Sequence, residues 1–340
     1  MATYKLRRYL LMTLDPVHVG TGGYRLGRVD NSIVREPGTR VPKIPGSALH
    51  GAIRSHAAQL YETPEAAGQS QDKVNEPDKN PVCYTFGYIK KTREEAGEEK
   101  TRAYSGVVNI FDAHILLLPV YSMAGPVWVT TLGRLKDAGV VVKKDNNAIK
   151  KEPAYGEALL SFRREGPLNL GWLMVDVEQN GISIESPEEW EDDSRWQEVK
   201  DWIVLVRESL FSHIVNSNLE VRTSVAINPE TGAAEDGALF TYEAIPRATF
   251  LTMDVVLDDY RKNFPTLEKT SKGNGLPGGQ RWSDPLDVVK AGLNMIEWLG
   301  VGGMGTRGFG RLAVVGTPQE GNEIPGNEEE SPSPNQETDQ

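Results

Sequence analysis

Cysteine is nearly absent from this chain: Cys83 stands alone among 340 residues. A lone thiol excludes an internal disulfide and a cysteine-built zinc site. Long apolar runs are missing too. The stretch Ile115–Pro119 falls far short of the roughly 20 residues that a membrane span requires. Lys5, Arg7 and Arg8 precede an apolar run broken by polar residues and Asp15. That segment reads as a first strand rather than a secretory signal, and a cytoplasmic location is expected. Common catalytic signatures are also lacking: there is no G-x-x-x-x-G-K-[ST], no G-x-S-x-G and no H-E-x-x-H. His114 and His213 lie in apolar surroundings without a Cys or Asp at metal spacing, so they read as core or interface residues.

Positive charge is in short supply: 37 Lys and Arg face 48 Asp and Glu, for a net charge of −11. Phosphate binding ordinarily needs a positive surface, so the total argues against nucleic acid. The distribution argues the other way. Seven acidic residues and no basic one follow Gly316, and eight more acids fall between Ser183 and Asp201. Residues 1–60 hold nine Lys and Arg against Asp15, Asp30 and Glu36. A basic face on an acidic protein fits one defined RNA groove with weak non-specific binding; chance clustering fits the counts equally.

What the chain does contain alternates between strand and helix patterns. Tyr4–Leu14 alternates polar and apolar residues as a strand does. Pro45-Gly46-Ser47 marks a helix start with Ser47 as its cap, and the helix runs to about Tyr61. Residues 62–105 read as a polar, partly mobile insertion. Strands follow at Val107–Leu118 and Val127–Leu132, then an irregular insertion over 139–170. Trp202–Ser217 has helical spacing, with Ile203, Val206, Leu210 and Ile214 on one face. Residues 218–257 read as two strands about the turn Asn228-Pro229-Glu230-Thr231-Gly232, a hairpin-like projection. A loop over 258–283 precedes a helix from Pro285 to Leu299, and a last strand spans Leu312–Val315. The order is that of an α+β fold, compatible with a ferredoxin-like or RRM-like sheet carrying large insertions.

Three segments hold residue types suited to RNA chemistry. On the helix after Pro45, Ser47, His50 and Arg54 share one arc, and Leu49, Ile53, His56 and Leu60 lie on a different one. If the polar arc faces outward, a hydroxyl, an imidazole, a guanidinium and free N–H groups suit a phosphate backbone; an ordinary solvated helix face has the same pattern. Six glycines lie between Gly300 and Gly310, with Arg307 beside them. Such a loop lets the main chain approach a ligand and can form an anion nest. It follows a helix and precedes a strand, the reverse of a dinucleotide-binding turn. The loop from His18 to Asp30 brings together a histidine, a glycine turn, Arg25, Arg28 and one carboxylate. A carboxylate can help deprotonate a ribose 2′-OH or hold a divalent ion, and arginines can stabilise charge on phosphorus. The same residues also read as a plain turn.

Taken together, these segments resemble a known family. Val17-His18-Val19-Gly20-Thr21-Gly22, Asp30, and Ile44-Pro45-Gly46-Ser47-Ala48-Leu49 with Gly51, Ile53 and Arg54 are similar to the N-terminal signature of RAMP-superfamily CRISPR proteins. Gly302-Gly303-Met304-Gly305-Thr306-Arg307-Gly308-Phe309-Gly310-Arg311 resembles the superfamily's glycine-rich loop. The blocks Val107–Ala113, Pro119–Ser122 with Trp128–Thr130, and Asn228–Phe240 look like the backbone subunit of a type III-B (Cmr-type) effector complex. The resemblance implies one RRM-like palm over 1–316. It also implies finger insertions at about 62–105 and 139–200, a β-hairpin thumb at about 219–250, and a disordered acidic tail over 317–340. Copies would stack into a filament along a CRISPR guide RNA, beside other subunits, and cut complementary target RNA at six-nucleotide intervals by in-line 2′-OH attack with Mg²⁺ or Mn²⁺. Asp30 would be the cleavage residue and metal holder, with His18, Tyr242 and Glu243 nearby. Ser47, His50, Arg54, Gly302, Gly303, Thr306 and Arg307 would hold the guide. His50 stands where relatives often carry Lys, which implies a weaker contact there. A type III-A backbone nuclease, a guide-holding subunit that does not cut, and a guide-processing endonuclease are the competing readings.

Overall fold

A computed structural model describes residues 4–22, 29–68, 73–93, 99–178, 181–265 and 282–321. Arg25, Arg28 and the glycine turn near 273–275 lie outside them. The centre is an antiparallel sheet in which the strand Lys5–Thr13 lies between Phe250–Leu257 and Leu312–Gly321, with Ala113–Ser122 beyond Phe250–Leu257. Helices Gly46–Leu60 and Pro285–Leu299 connect the first strand to the second and the third to the fourth. In chain order the strands therefore lie 4-1-3-2, the ferredoxin-like arrangement.

Alternation along the first strand divides the interior in two. Tyr9 and Leu11 join Leu49, Ile53, Leu293 and Ile296 under the two helices. Leu10 points the other way and joins Leu116, Phe250, Val315, Trp190 and Trp196. Period-two side-chain alternation makes this division automatic. The helices touch closely at Gly292, where any β-carbon would collide with the carbonyl oxygen of Ile53. The C-terminal helix starts on a reciprocal cap, with Asp284 and Asp287 each accepting main-chain N–H groups and Pro285 in the first turn.

The insertions depart from the sequence reading. Within 62–105, the short helix Pro81–Phe86 is buried along its whole length, and Gly87–Arg93 pairs with Glu99–Ser105 as a hairpin. Within 139–200, Glu157–Leu160, Leu168–Leu170 and Leu173–Val177 extend the central sheet rather than forming an irregular loop. Ile203–Leu205 is a buried strand parallel to Gly125–Thr130, and the helix begins only at Glu208. Short apolar runs do not reveal their own period, which is why helix and strand were conflated there. The two helices Glu188–Glu191 and Ser194–Lys200 lay Trp190 and Trp196 over the face that an RRM leaves open.

The projecting hairpin pairs Glu220–Ile227 with Ala234–Ala244, and Phe250–Leu257 belongs to the central sheet instead. Val221, Val225, Ile227 and Leu239 are exposed on it. The last strand continues to Gly321, so residues 317–321 are ordered β-structure, and the rest of the acidic tail lies outside the described residues.

Candidate active site at the base of the hairpin

The loop that leaves the first strand is fixed by main-chain pairing on both sides. Val17 exchanges two hydrogen bonds with Ile245, and Val34 N–H donates to the Val19 carbonyl. Asn31 N–H donates to the Thr241 carbonyl at 3.0 Å, and Glu243 N–H donates to the Asn31 carbonyl at 3.1 Å. Residues near 18, 31 and 242, far apart in sequence, thus share one patch where the hairpin leaves the body.

Asp30 lies at the exposed edge of that patch. Thr241 donates its main-chain N–H and its hydroxyl to Oδ2 of Asp30, at 2.7 and 2.9 Å. The same hydroxyl oxygen accepts the Asp30 N–H at 3.1 Å. These donors, the Thr241 amide foremost, hold the Asp30 carboxyl below its ordinary range. An exposed, ionised carboxylate with a lowered pKa is a weak base and a good cation ligand.

His18 is 6% exposed and directed inward. Its Nδ1 lies 2.6 Å from the carbonyl oxygen of Glu243. A carbonyl only accepts, so Nδ1 carries the proton in this contact. The glycine loop packs on this histidine. Gly303 N–H donates to the His18 carbonyl at 2.9 Å. Gly302 has φ +86°, and a β-carbon on it would stand 2.5 Å from the same oxygen, so both dihedral and space require glycine.

Tyr242 and Glu243 are brought to the patch, but both are buried. Tyr242 is buried, its ring edge-on to Phe309 at 5.4 Å and its hydroxyl 3.1 Å from the Ser224 hydroxyl. The Glu243 carboxylate is buried and accepts from Arg35 at 2.7 Å, while Arg35 also donates to Asn216 and the Ile33 carbonyl. In this structure Tyr242 packs against Phe309, and Glu243 is half of an ion pair. Arg35, Thr241 and Phe309 were missed by sequence reasoning. Arg35 was visible only as one of nine basic residues, and a lone threonine carries no signal.

The residues expected to hold the guide scatter. Thr306 and Arg307 stand exposed on a one-turn helix at the loop tip, with Arg307 reaching within 5.8 Å of the Phe240 ring. The anion nest is largely filled: amides of Gly300, Val301, Gly303, Arg307, Gly308 and Gly310 all donate to carbonyls within the protein. Ser47 is exposed but caps nothing; Pro45 holds the cap position, and Asp112 accepts the Gly46 N–H at 2.7 Å. A carboxylate at that helix start occupies the place expected for phosphate. Arg54 does not face outward. It is 7% exposed and donates to the carbonyls of Ala66, Phe86 and Gly87. His50 is half-buried, edge-on to Phe86, and burial followed by the nearby Arg54 charge lowers its pKa.

Among the described residues, one further group has the composition of a metal site: Glu36, Asp112 and His114. The Lys43 ammonium already lies between its carboxylates, 2.8 Å from Glu36 and 2.6 Å from Asp112. That cluster is an ion-pair network with its cation built in. Asp30 stands apart from that cluster, with no basic side chain paired to it among the described residues. No helix among the described residues is long and apolar enough to cross a membrane.

Known proteins share this architecture. The Cmr endoribonuclease Cmr4 of the Pyrococcus furiosus CRISPR system is 27% identical over 282 residues, covering 79% of this chain and 88% of that protein. A chain of the type III-B Cmr-beta complex bound to cognate target RNA superposes with a TM-score of 0.56 at 15% identity, over 91% of this chain and 96% of its own. Oligomeric Cmr4 from Pyrococcus furiosus gives a TM-score of 0.51 at 19% identity, over 95% of this chain and all of its own. The sequence pattern of the RAMP superfamily matches residues 10–313, and the chain belongs to that superfamily.

Proposed function

We propose that this chain is a backbone subunit of a type III-B CRISPR effector that holds guide RNA and cuts the target RNA paired with it, with Asp30 as the cleavage residue. The observation that carries this reading is the clamp of an exposed, ionised Asp30 onto the hairpin by Thr241. The likeness to a Cmr endoribonuclease across most of the chain supports the reaction class.

The RNA chemistry asks for a 2′-OH, its adjacent phosphorus and the leaving oxygen in line, and holding them so supplies much of the rate. A hairpin with exposed Val221, Val225, Ile227 and Leu239 suits insertion between base pairs, which would unstack the target strand beside Asp30. With its lowered pKa, Asp30 serves better as an electrostatic and cation-holding group than as a proton acceptor. Mg²⁺ or Mn²⁺ bound there would neutralise charge developing on phosphorus. His18 keeps the strand base in register through its bond to Glu243. Thr306 and Arg307 contact the guide backbone from the loop tip, with Ser47 as an exposed contact on the neighbouring helix. Gly302 and Gly303 let the loop lie against His18, and Arg54 and His50 hold the short helix Pro81–Phe86 to the first helix. Further copies of the chain and other subunits complete the RNA path.

The test is cleavage of a guide-complementary RNA by the reconstituted complex with Mg²⁺ or Mn²⁺, comparing native protein with Asp30→Ala. Cuts at six-nucleotide spacing that vanish in the variant, with target binding kept, are the expected result. Cuts that persist in Asp30→Ala would move the chemistry elsewhere.

A further inference from the structure

We propose that Thr241 is the positioning residue for Asp30, and that it ties the orientation of this carboxylate to the hairpin. The inference rests on the assignment of Asp30 as the cleavage residue. An exposed aspartate ordinarily exchanges between rotamers on a picosecond-to-nanosecond scale. Here two donors converge on a single oxygen, Oδ2, from one residue: the Thr241 N–H at 2.7 Å and its hydroxyl at 2.9 Å. The hydroxyl also accepts the Asp30 N–H, so the side chain and main chain of Asp30 are held together. Among the described residues no donor reaches Oδ1, which leaves that oxygen for an ion or an RNA group.

The main chain around the clamp is fixed independently. Asn31 N–H to the Thr241 carbonyl and Glu243 N–H to the Asn31 carbonyl set the spacing between the two segments. A change confined to the Thr241 side chain therefore leaves the ladder in place and removes only the hydroxyl's two bonds. Thr241 belongs to the strand Ala234–Ala244, so a load on the hairpin is transmitted to Asp30 through this contact. Duplex engagement and cleavage competence are coupled at one residue.

The experiment uses the assembled complex with the full chain carrying Thr241→Val, Thr241→Ala, Thr241→Ser or Asp30→Asn. Single-turnover cleavage is measured at saturating complex, and target affinity is measured separately. Thr241→Val and Thr241→Ala should slow cleavage about tenfold, the effect of one hydrogen bond to a charged group, with target affinity and thermal unfolding unchanged. Thr241→Ser should return to within about twofold of native, because serine restores the same donor and acceptor. Native-rate cleavage in Thr241→Val and Thr241→Ala, with cutting lost in Asp30→Asn, overturns this inference alone. Equal slowing in Thr241→Ser and Thr241→Val also overturns it, since the hydroxyl would then not be the agent. Native-rate cleavage by Asp30→Asn removes the underlying assignment and this inference with it.

Discussion

At Arg54 a full charge is buried among carbonyl oxygens, and that determines what its loss would do. Its guanidinium donates to Ala66, Phe86 and Gly87, stitching the first helix to the segment that follows it. Arg54→Ala would leave buried carbonyls without partners and is expected to destabilise the fold by about 3 kcal/mol. Urea unfolding monitored by tryptophan fluorescence checks this. A contact to phosphate would behave differently, weakening RNA binding while the unfolding midpoint stayed at the native value. The helical wheel placed Arg54 on a different arc from Leu49 and Ile53. What it could not show is that Pro81–Phe86 returns from beyond a polar stretch to cover that arc. Asp30 was singled out in the sequence through the family resemblance, since the loop's residues alone also read as a plain turn. Its partner Thr241, 211 residues away, was not.

Among the elements, those that carry their own boundary signals were the ones legible in the sequence. Pro285–Leu299 has an aspartate cap, a proline in its first turn and a glycine at its end, and its limits in the structure are those read from the sequence. The strand Ile203–Leu205 has no such punctuation, and its identity depends on its neighbour Gly125–Thr130. The hairpin was visible through its turn, but the assignment of Phe250 to the central sheet depends on pairing with Met12 and Leu117. Where the two long helices meet, the contact depends on one missing side chain. Gly292→Ala places a methyl against the Ile53 carbonyl, and neither helix backbone can yield without moving its face of the core. The expected cost is about 1–3 kcal/mol, the range for overpacking a close contact. A lowered denaturant midpoint with unchanged slope is the corresponding measurement.

For the whole molecule, what matters is where RNA can lie. Both faces of the central sheet are covered, one by the two long helices and the other by the layer holding Trp190 and Trp196. Bases therefore cannot stack on the sheet as they do on an open RRM. In the proposed reading the route runs over the loops at one end of the sheet, where the hairpin, Asp30 and the glycine loop meet. Charge limits that route further. The chain carries a net −11, while its first sixty residues are net +6 from nine basic and three acidic side chains. Several of those basic groups are already paired inside the protein: Arg8 with Asp254, Arg35 with Glu243, and Lys43 with Glu36 and Asp112. Among the described residues of that stretch, pairing reduces the cations left to displace counterions from RNA, and the acidic remainder of the chain repels it. The isolated chain should accordingly bind unrelated single-stranded RNA more weakly than about 10 μM at physiological salt, within the weak non-specific range. Its log K should also fall with log salt at a slope shallower than that of the assembled complex, in which contacts from several copies add. Filter binding of one random-sequence RNA across a salt series, to the chain alone and to the complex, measures both quantities. Tight binding by the chain alone, with a steep slope, would mean that a continuous basic groove exists within one copy.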